Sequence, residues 1–95
     1  MYTWDPEKNK RNKEKHGISF EEARDYIFEC KNILAMGVAY DKGETRHAVI
    51  GQYKGKYYTA IFTMTDEYVR IISVRRATHH EEKQAKDKGL WWRFW

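Results

Sequence analysis

The segment Arg70–Glu82, RIISVRRATHHEE, decides the architecture of this chain. Its two isoleucines and its valine are typical of a strand that is buried on part of both faces, and arginines stand at both ends of that strand. Thr78 and Glu81 then show the spacing of a capping box, which predicts that a helix begins just after the strand. A sheet would therefore hold several guanidinium groups in fixed positions next to the start of a helix.

The arginines of this segment, Arg70, Arg75 and Arg76, have two possible roles. They could be sheet-end charges in salt bridges, or they could bind phosphate, because guanidinium stays charged and contacts phosphate oxygens in pairs. Arg70 and Arg75 differ by an odd number of positions, so on a regular strand they face opposite ways. Both can serve one site only if the chain bends or the strand ends before Arg75. Arg76 shares the parity of Arg70 and is the alternative.

Bulk composition predicts one soluble domain over residues 1–95, because 41% of the residues are hydrophobic and 34% are charged. The net charge of +4 is compatible with nucleic acid or an acidic partner and decides neither. The one cysteine, Cys30, cannot form an internal disulfide, which fits a reducing, cytoplasmic compartment. The polar N-terminus and the lack of an apolar run of about 20 residues predict no signal peptide and no membrane span.

No metal or other cofactor is expected from the sequence. The single cysteine and the four histidines, at positions 16, 47, 79 and 80, lack the spacing of zinc ligands. His79 and His80 are adjacent, so on a helix their side chains would point about 100° apart.

The N-terminus predicts a short edge strand followed by a cationic helix. Asp5 as N-cap and Pro6 at the first position predict a helix to about Lys15, which Gly17 would close in the left-handed conformation. Residues 7–15 contain no apolar side chain, so this helix cannot be held by a buried stripe. Its five Lys and Arg side chains form either a cationic surface or an ordinary solvated face.

A second helix is predicted to begin at Ser19, which forms a capping box with Glu22. Its apolar side chains share one helical face and are expected to pack in the core, Cys30 as an inert buried thiol: Phe20, Ala23, Tyr26, Ile27 and Cys30. The acidic side of this helix could pair with the basic first helix.

The middle of the chain predicts an antiparallel meander. Residues 32–40 could be a strand or a loop, and strands are predicted at 46–53, 56–64 and 68–75, with a hairpin turn at Lys54-Gly55. In the second of these strands one face should line the core: Tyr58, Ala60, Phe62 and Met64. The other face is polar and aromatic and could be open to a ligand: Tyr57, Thr59, Ile61 and Thr63.

The C-terminus predicts a helix from His79 to about Lys88, stopped by Gly89. The aromatic segment that follows, LWWRFW at residues 90–95, should pack on the domain or on another chain, because a small soluble protein seldom exposes such a segment.

Three segments together resemble the BrnT family of toxins from toxin–antitoxin systems: residues 4–23, 43–51 and 70–82, in order and at the spacing of the family. The first segment carries Trp4-Asp5-Pro6 with Lys8 and Asn12, then Lys15-His16-Gly17 with Phe20 and Ala23. The second carries Gly43-Glu44 with Arg46, Ile50 and Gly51. The third carries Arg70 to Ser73, Arg75, Ala77, Thr78 and Glu81. Two features differ from the family pattern: His79 and His80 stand where Arg or Lys is usual, and the segment 90–95 lies outside it.

The resemblance implies an α+β, RelE-like fold. Together with the predicted elements this is a small twisted antiparallel sheet, made of a three-strand meander plus an N-terminal edge strand, with two N-terminal helices and one C-terminal helix. The resemblance also implies a metal-independent endoribonuclease that halts translation. Its implied partner is a BrnA-like antitoxin with a ribbon-helix-helix region, through which alone the complex would contact DNA.

Metal-independent RNA cleavage uses the 2′ hydroxyl as nucleophile, so the enzyme must move two protons and stabilise charge on the phosphate. The candidate catalytic residues are Arg70, Arg75, His16, Glu44 and Lys15. The candidate RNA-binding residues are Arg46, Arg76, Lys8 and Arg11.

Each candidate also has a plain structural alternative. His16 could cap the first helix, and Glu44 could form a salt bridge with Arg46. Glu81 is expected to be a capping residue and not a base, and the histidines that precede it are expected at the surface. As a whole, the chain could be a non-catalytic basic module that binds RNA or a partner.

Overall fold

The computed structural model describes residues 1–30, 33–41 and 43–88, without the side chains of Met36 and Asp41. In chain order its elements are β1 (Tyr2–Thr3), α1 (Pro6–His16), α2 (Phe20–Ala23), a π turn (Arg24–Phe28), β2 (Leu34–Asp41), β3 (Glu44–Tyr53), β4 (Lys56–Met64), β5 (Val69–Arg76) and α3 (His79–Asp87). The predicted stop at Gly89 and the predicted packing of residues 90–95 lie outside the described residues.

The five strands form one sheet in the order β1-β5-β4-β3-β2. The α+β class is confirmed, but the prediction of an antiparallel sheet with a three-strand meander is wrong in two respects. Residues 34–41 add a strand, so β2 to β5 form a four-strand antiparallel meander. The N-terminal strand β1 pairs in parallel with β5, so the sheet is mixed. The N-terminal segment runs in the same direction as β5 where it meets the free edge of that strand.

The cationic helix α1 is held by two asparagines and not by an apolar stripe. Asn12 is buried; its amide donates a hydrogen bond to the Ile18 carbonyl (2.8 Å), and its oxygen accepts one from the Val74 N–H (3.1 Å). Asn9 accepts a hydrogen bond from the Phe20 N–H (2.7 Å). The bond to Val74 fixes α1 against the edge of β5, and the bonds to Ile18 and Phe20 hold it to the start of α2. These polar contacts explain how a helix without apolar side chains keeps its place. The predicted Asp5 cap and the left-handed closure at residue 17 (φ 77°) are confirmed.

The second helix has the predicted capping box, but its predicted apolar face is only partly correct. Phe20, Ala23 and Ile27 are fully buried. Tyr26 is 56% exposed and Cys30 is exposed as well, so the prediction of a buried thiol is wrong. After α2 the backbone widens into the π turn, which ends before Cys30. The wider turn shifts the helical periodicity, and Cys30 lies beyond the helix. The predicted pairing of the two helices is confirmed by an ion pair between Lys13 Nζ and Glu22 (2.7 Å).

The main core lies between α2, the π turn and one face of the sheet. The predicted core face of β4 is confirmed at Tyr58, Ala60 and Phe62, whereas Met64 at the strand end is 54% exposed. The opposite face of the sheet is covered at one end by α3, where Ala85 packs on Tyr57. That face is therefore closed at one end of β4 and more open toward the other.

Candidate active site

A β-bulge in β5 decides which way the arginines face. On the two strands Ile61 pairs with Ser73, but the next residue of β4, Phe62, pairs with Ile71. Ile72 is therefore an extra residue in β5 without a partner in β4. An extra residue reverses the alternation of side chains from that point onward.

The bulge places Arg70 and Arg75 on the same face of the sheet. Arg75 pairs with Thr59 and Arg70 pairs with Thr63, and these two threonines lie four positions apart on β4, so they share a face. On a regular strand, the odd number of positions between Arg70 and Arg75 would place their side chains on opposite faces, but the bulge interrupts this alternation. Because four strand residues span about 13 Å, the backbone positions of the two arginines lie at opposite ends of this face.

Arg76 lies on the other face, so the prediction that it shares the side of Arg70 is wrong. It pairs with Tyr58, whose side chain belongs to the main core. Its guanidinium group lies over the Tyr58 ring, 5.8 Å from the ring centroid.

Arg75 is fixed by a two-point ion pair with Glu81. The guanidinium nitrogens donate to both carboxylate oxygens, at 2.8 and 3.0 Å. Glu81 also accepts hydrogen bonds from the Thr59 hydroxyl (2.9 Å) and the Thr78 N–H (2.9 Å), the second of which closes the predicted capping box. With the Arg75 pair as the largest contribution, these bonds lower the pKa of Glu81 to about 2. Glu81 is therefore a carboxylate at neutral pH that orients Arg75.

A small cationic cleft lies between α1 and β5. It has a volume of about 250 Å³ and is lined by Lys8, Arg11, Asn12, Lys15, His16, Ile72 and Ser73. Partial burial, together with the positive charges of Lys15 and Arg75, lowers the pKa of His16 below its usual value. His16 is therefore a neutral imidazole at pH 7, able to accept a proton. The bulge residue Ile72 forms part of the wall, so one backbone irregularity shapes the cleft and turns the arginines.

A larger cleft of about 650 Å³ lies between α3 and the strands β2, β3 and β4. Its polar lining includes Arg46, His80, Glu81 and Gln84, and its apolar lining comes mainly from the strands. Glu44 lies next to Arg46, with 3.3 Å between the carboxylate and the guanidinium, so the structural alternative predicted for Glu44 is observed. Among the described residues there is no group of three or more His, Cys, Asp or Glu side chains that could hold a metal ion.

The chain matches a known protein family over most of its length. A family model described as the ribonuclease toxin BrnT of type II toxin–antitoxin systems matches residues 4–81. The chain belongs to the BrnT family. The match extends from Trp4 into the first turn of α3, so it covers the lining of the small cleft and, except for Gln84, that of the larger cleft. It confirms the resemblance found in the sequence. No curated protein is similar enough in sequence to count as a relative. None of the helices in the described ranges is long and apolar enough to cross a membrane.

Eight of the nine predicted site residues of this BrnT-family chain fall into two groups, and Arg76, on the other face of the sheet, belongs to neither. Four lie on α1 and line the small cleft: Lys8, Arg11, Lys15 and His16. Four lie on β3 and β5 with their side chains on the face that α3 partly covers: Glu44, Arg46, Arg70 and Arg75. Arg75 connects the groups, because its charge acts on His16 and its partner Glu81 lines the larger cleft.

Sequence reasoning missed several polar residues that build the site. The sequence marks Asn12 only as a position of the family pattern, although its two buried hydrogen bonds fix α1. The sequence predicts Thr59 on a face that could bind a ligand, but Thr59 is buried and donates to Glu81. Ser73 and Gln84 line the clefts without any local pattern that marks them. The one sequence signal that could have indicated the role of Asn12 is its place in a helix without apolar residues, because polar contacts must hold such a helix.

The Arg75–Glu81 pair predicts that stability depends on pH in the acid range. The lowered pKa of Glu81 means that its ionised form favours the folded state above its usual value of 4.5, and that this contribution is lost as the pH falls toward about 2. We therefore expect Glu81→Gln to lose less unfolding free energy than the wild type between about pH 6 and about pH 3, measured by urea denaturation. The pKa of Glu22 is also lowered to about 2, so Glu22→Gln should lose less unfolding free energy over the same pH range and serves as a positive control. Parallel pH profiles for wild type and Glu81→Gln would contradict the prediction.

Proposed function

We propose that the protein is a metal-independent endoribonuclease that arrests translation as the toxin of its type II system. The observation that carries this proposal is the bulge at Ile72, which turns Arg70 and Arg75 to one face and borders the small cleft. Glu81 holds the Arg75 guanidinium group, and the charge of Arg75 helps to lower the pKa of His16 in that cleft. Family membership supports ribonuclease activity in general; the mechanism and the residue roles are the proposal.

The proposed reaction is attack of a ribose 2′ oxygen on the adjacent phosphorus. His16 accepts the 2′ proton, since its lowered pKa leaves it neutral. Arg75, held by Glu81, stabilises the negative charge that develops on the phosphate oxygens. Lys15 adds a positive charge in the same cleft. Arg70 lies on the same face at the other end of the strand, and we assign it to a neighbouring phosphate of the same RNA.

The remaining cations define a path for the RNA backbone. Lys8 and Arg11 extend the small cleft along α1 on one side of Arg75, and Arg46 lies in the larger cleft on the other side. Glu44 would hold Arg46 in position through their ion pair. Arg76 faces the opposite side of the sheet and lies outside this path.

The proposed partner is an acidic antitoxin. A type II toxin is neutralised by a protein, and the net charge of +4 favours an acidic one. We propose that this antitoxin is BrnA-like, with a ribbon-helix-helix region through which the complex contacts DNA. The RelE-like fold, a single domain over residues 1–95 and a cytoplasmic location belong to the same proposal.

Inducible expression of the chain without an antitoxin tests this function. We expect bacterial growth arrest, relieved by Arg70→Ala but not by Arg76→Ala, since only Arg70 lies on the proposed RNA face. The purified wild type should cleave RNA in the presence of EDTA, leaving 2′,3′-cyclic phosphate ends. A well-folded wild type that binds RNA without cleaving it, and does not arrest growth, would favour the non-catalytic binding module.

A further inference from the structure

The larger cleft of about 650 Å³ has the lining of a binding site for an organic ring, and the proposed RNA path uses only Arg46 of that lining. Its floor includes three residues that pair across neighbouring strands: Gly37 pairs with Ala48, and Ala48 pairs with Ile61. One wall is α3, where Gln84 offers both a hydrogen-bond donor and an acceptor. Apolar surface combined with a few polar groups is typical of sites for ring-shaped ligands.

The floor of the larger cleft adjoins the proposed phosphate site. Ile61 pairs with Ser73, which lines the small cleft, so these two lining residues are direct neighbours on the sheet. Side chains of such directly opposed residues lie about 5 Å apart. Glu81 lines the larger cleft and accepts hydrogen bonds from Arg75 at 2.8 and 3.0 Å. A phosphate group bound by Arg75 would therefore have the wall of the larger cleft beside it.

The spacing along β4 corresponds to one nucleotide. Arg75 pairs with Thr59, and Ile61 lies two positions further along β4 on the same face of the sheet. Two strand residues span about 7 Å, which is close to the distance between a phosphate and the base of the same nucleotide. If the phosphate is bound by Arg75, the base can lie over Ala48 and Ile61.

We infer that the larger cleft binds one nucleobase of the RNA, from a nucleotide next to the cleaved phosphate. The inference rests on the proposed function. Proteins recognise single-stranded RNA mostly through bases that are unstacked from their neighbours and enclosed by side chains. Here the base contacts the apolar floor, and Gln84 hydrogen-bonds to its edge. The sugar–phosphate backbone stays outside the cleft, along Arg46 and Arg75.

The test fills the cleft with a ring and removes the base from the RNA. It measures kcat/KM for a short RNA whose cut has been mapped, and for two versions that each lack the base of one nucleotide beside the cut. We expect the loss of one of these bases to slow the wild type about 10- to 100-fold, the usual contribution of one stacked base. Ala48→Phe should be slower by a similar factor on the intact RNA. On the RNA that lacks that base it should match the wild type, because the same contact cannot be lost twice.

Two further variants make the test independent of one substitution. Thr45→Phe is the matched control, because Thr45 is exposed and lies three positions from Ala48 on β3, on the opposite face of the sheet. It should cleave all three RNAs as the wild type does. Ala39→Phe is a second way to fill the cleft, since Ala39 is exposed on β2 and lines it. It should reproduce the result of Ala48→Phe if thermal denaturation shows that variant to be unfolded.

Three results would overturn the inference while leaving the proposed function intact. The first is a wild type that cleaves both RNAs with a missing base as fast as the intact RNA. The second is a folded cleft-filling variant that is as active as the wild type on the intact RNA. The third is an equal defect of that variant on all three RNAs, which would mean that the ring blocks the backbone. A folded wild type that cleaves none of the RNAs would instead overturn the proposed function, and this inference with it.

Discussion

Replacing Arg75 with alanine should lower the rate of RNA cleavage by about 100- to 1,000-fold, the usual cost of removing one preorganised donor to a developing oxyanion. Arg75 is oriented by Glu81 before any substrate binds, so its charge needs little reorganisation in the transition state. Two of its nitrogens bind Glu81, and its side chain keeps 36% of its surface exposed. The guanidinium group can therefore donate to a phosphate without losing the carboxylate that holds it.

Chemical rescue can separate this catalytic role from a structural one. Free guanidinium, added to Arg75→Ala at a fixed ionic strength, should restore part of the cleavage rate, whereas sodium chloride should not. Arg76→Ala is the matched control, because the neighbouring guanidinium group faces the other side of the sheet. A variant that loses no activity, or one whose lost activity follows only its fraction unfolded, would reduce Arg75 to a partner of Glu81 in the fold.

The stability cost of Arg75→Ala should be modest, about 1–2 kcal/mol, because the ion pair is partly exposed to solvent. Glu81 keeps hydrogen bonds from Thr59 and Thr78 after the guanidinium group is removed. Rate measurements well below the melting temperature would therefore report on folded protein.

Sequence patterns predicted correctly those features that depend only on neighbouring residues. Both capping boxes and the left-handed residue 17 depend on side chains and backbone within four positions, and all three are confirmed. The strands of the meander lie close to their predicted limits because alternation and turn residues mark them. The π turn is different: nothing in residues 24–28 indicates a wider turn, so the predicted face that included Tyr26 and Cys30 was wrong.

The bulge at Ile72 explains why the orientation of the arginines could not be predicted. The parity rule applies to a regular strand, and the run around Ile72 contains no glycine or proline that would indicate an irregularity. The extra residue is visible only in the pairing with β4. In the same way, the cations of α1 are evident in the sequence, but their approach to Arg75 depends on a tertiary contact.

That contact is Asn12, and replacing it with alanine should lower the free energy of unfolding by about 2–4 kcal/mol. The substitution leaves two groups without their partner, the Ile18 carbonyl and the Val74 N–H, in residues that are fully buried. Each buried polar group left unsatisfied costs about 1–3 kcal/mol. Urea denaturation at neutral pH measures the effect, and Asn9→Ala is the control, because Asn9 binds the exposed side chain of Glu21 and only one backbone group.

The same substitution should also lower activity in protein that remains folded. Asn12 binds β5 at Val74, next to Arg75, and lines the small cleft beside Lys15 and His16. Without it, α1 keeps its caps and its ion pair to Glu22 but loses its fixed distance from β5. The cleavage rate below the melting temperature should then fall for Asn12→Ala and change little for Asn9→Ala. Equal losses of stability and activity in the two variants would mean that α1 is placed mainly by its contacts with α2, and that the distance between His16 and Arg75 does not depend on Asn12.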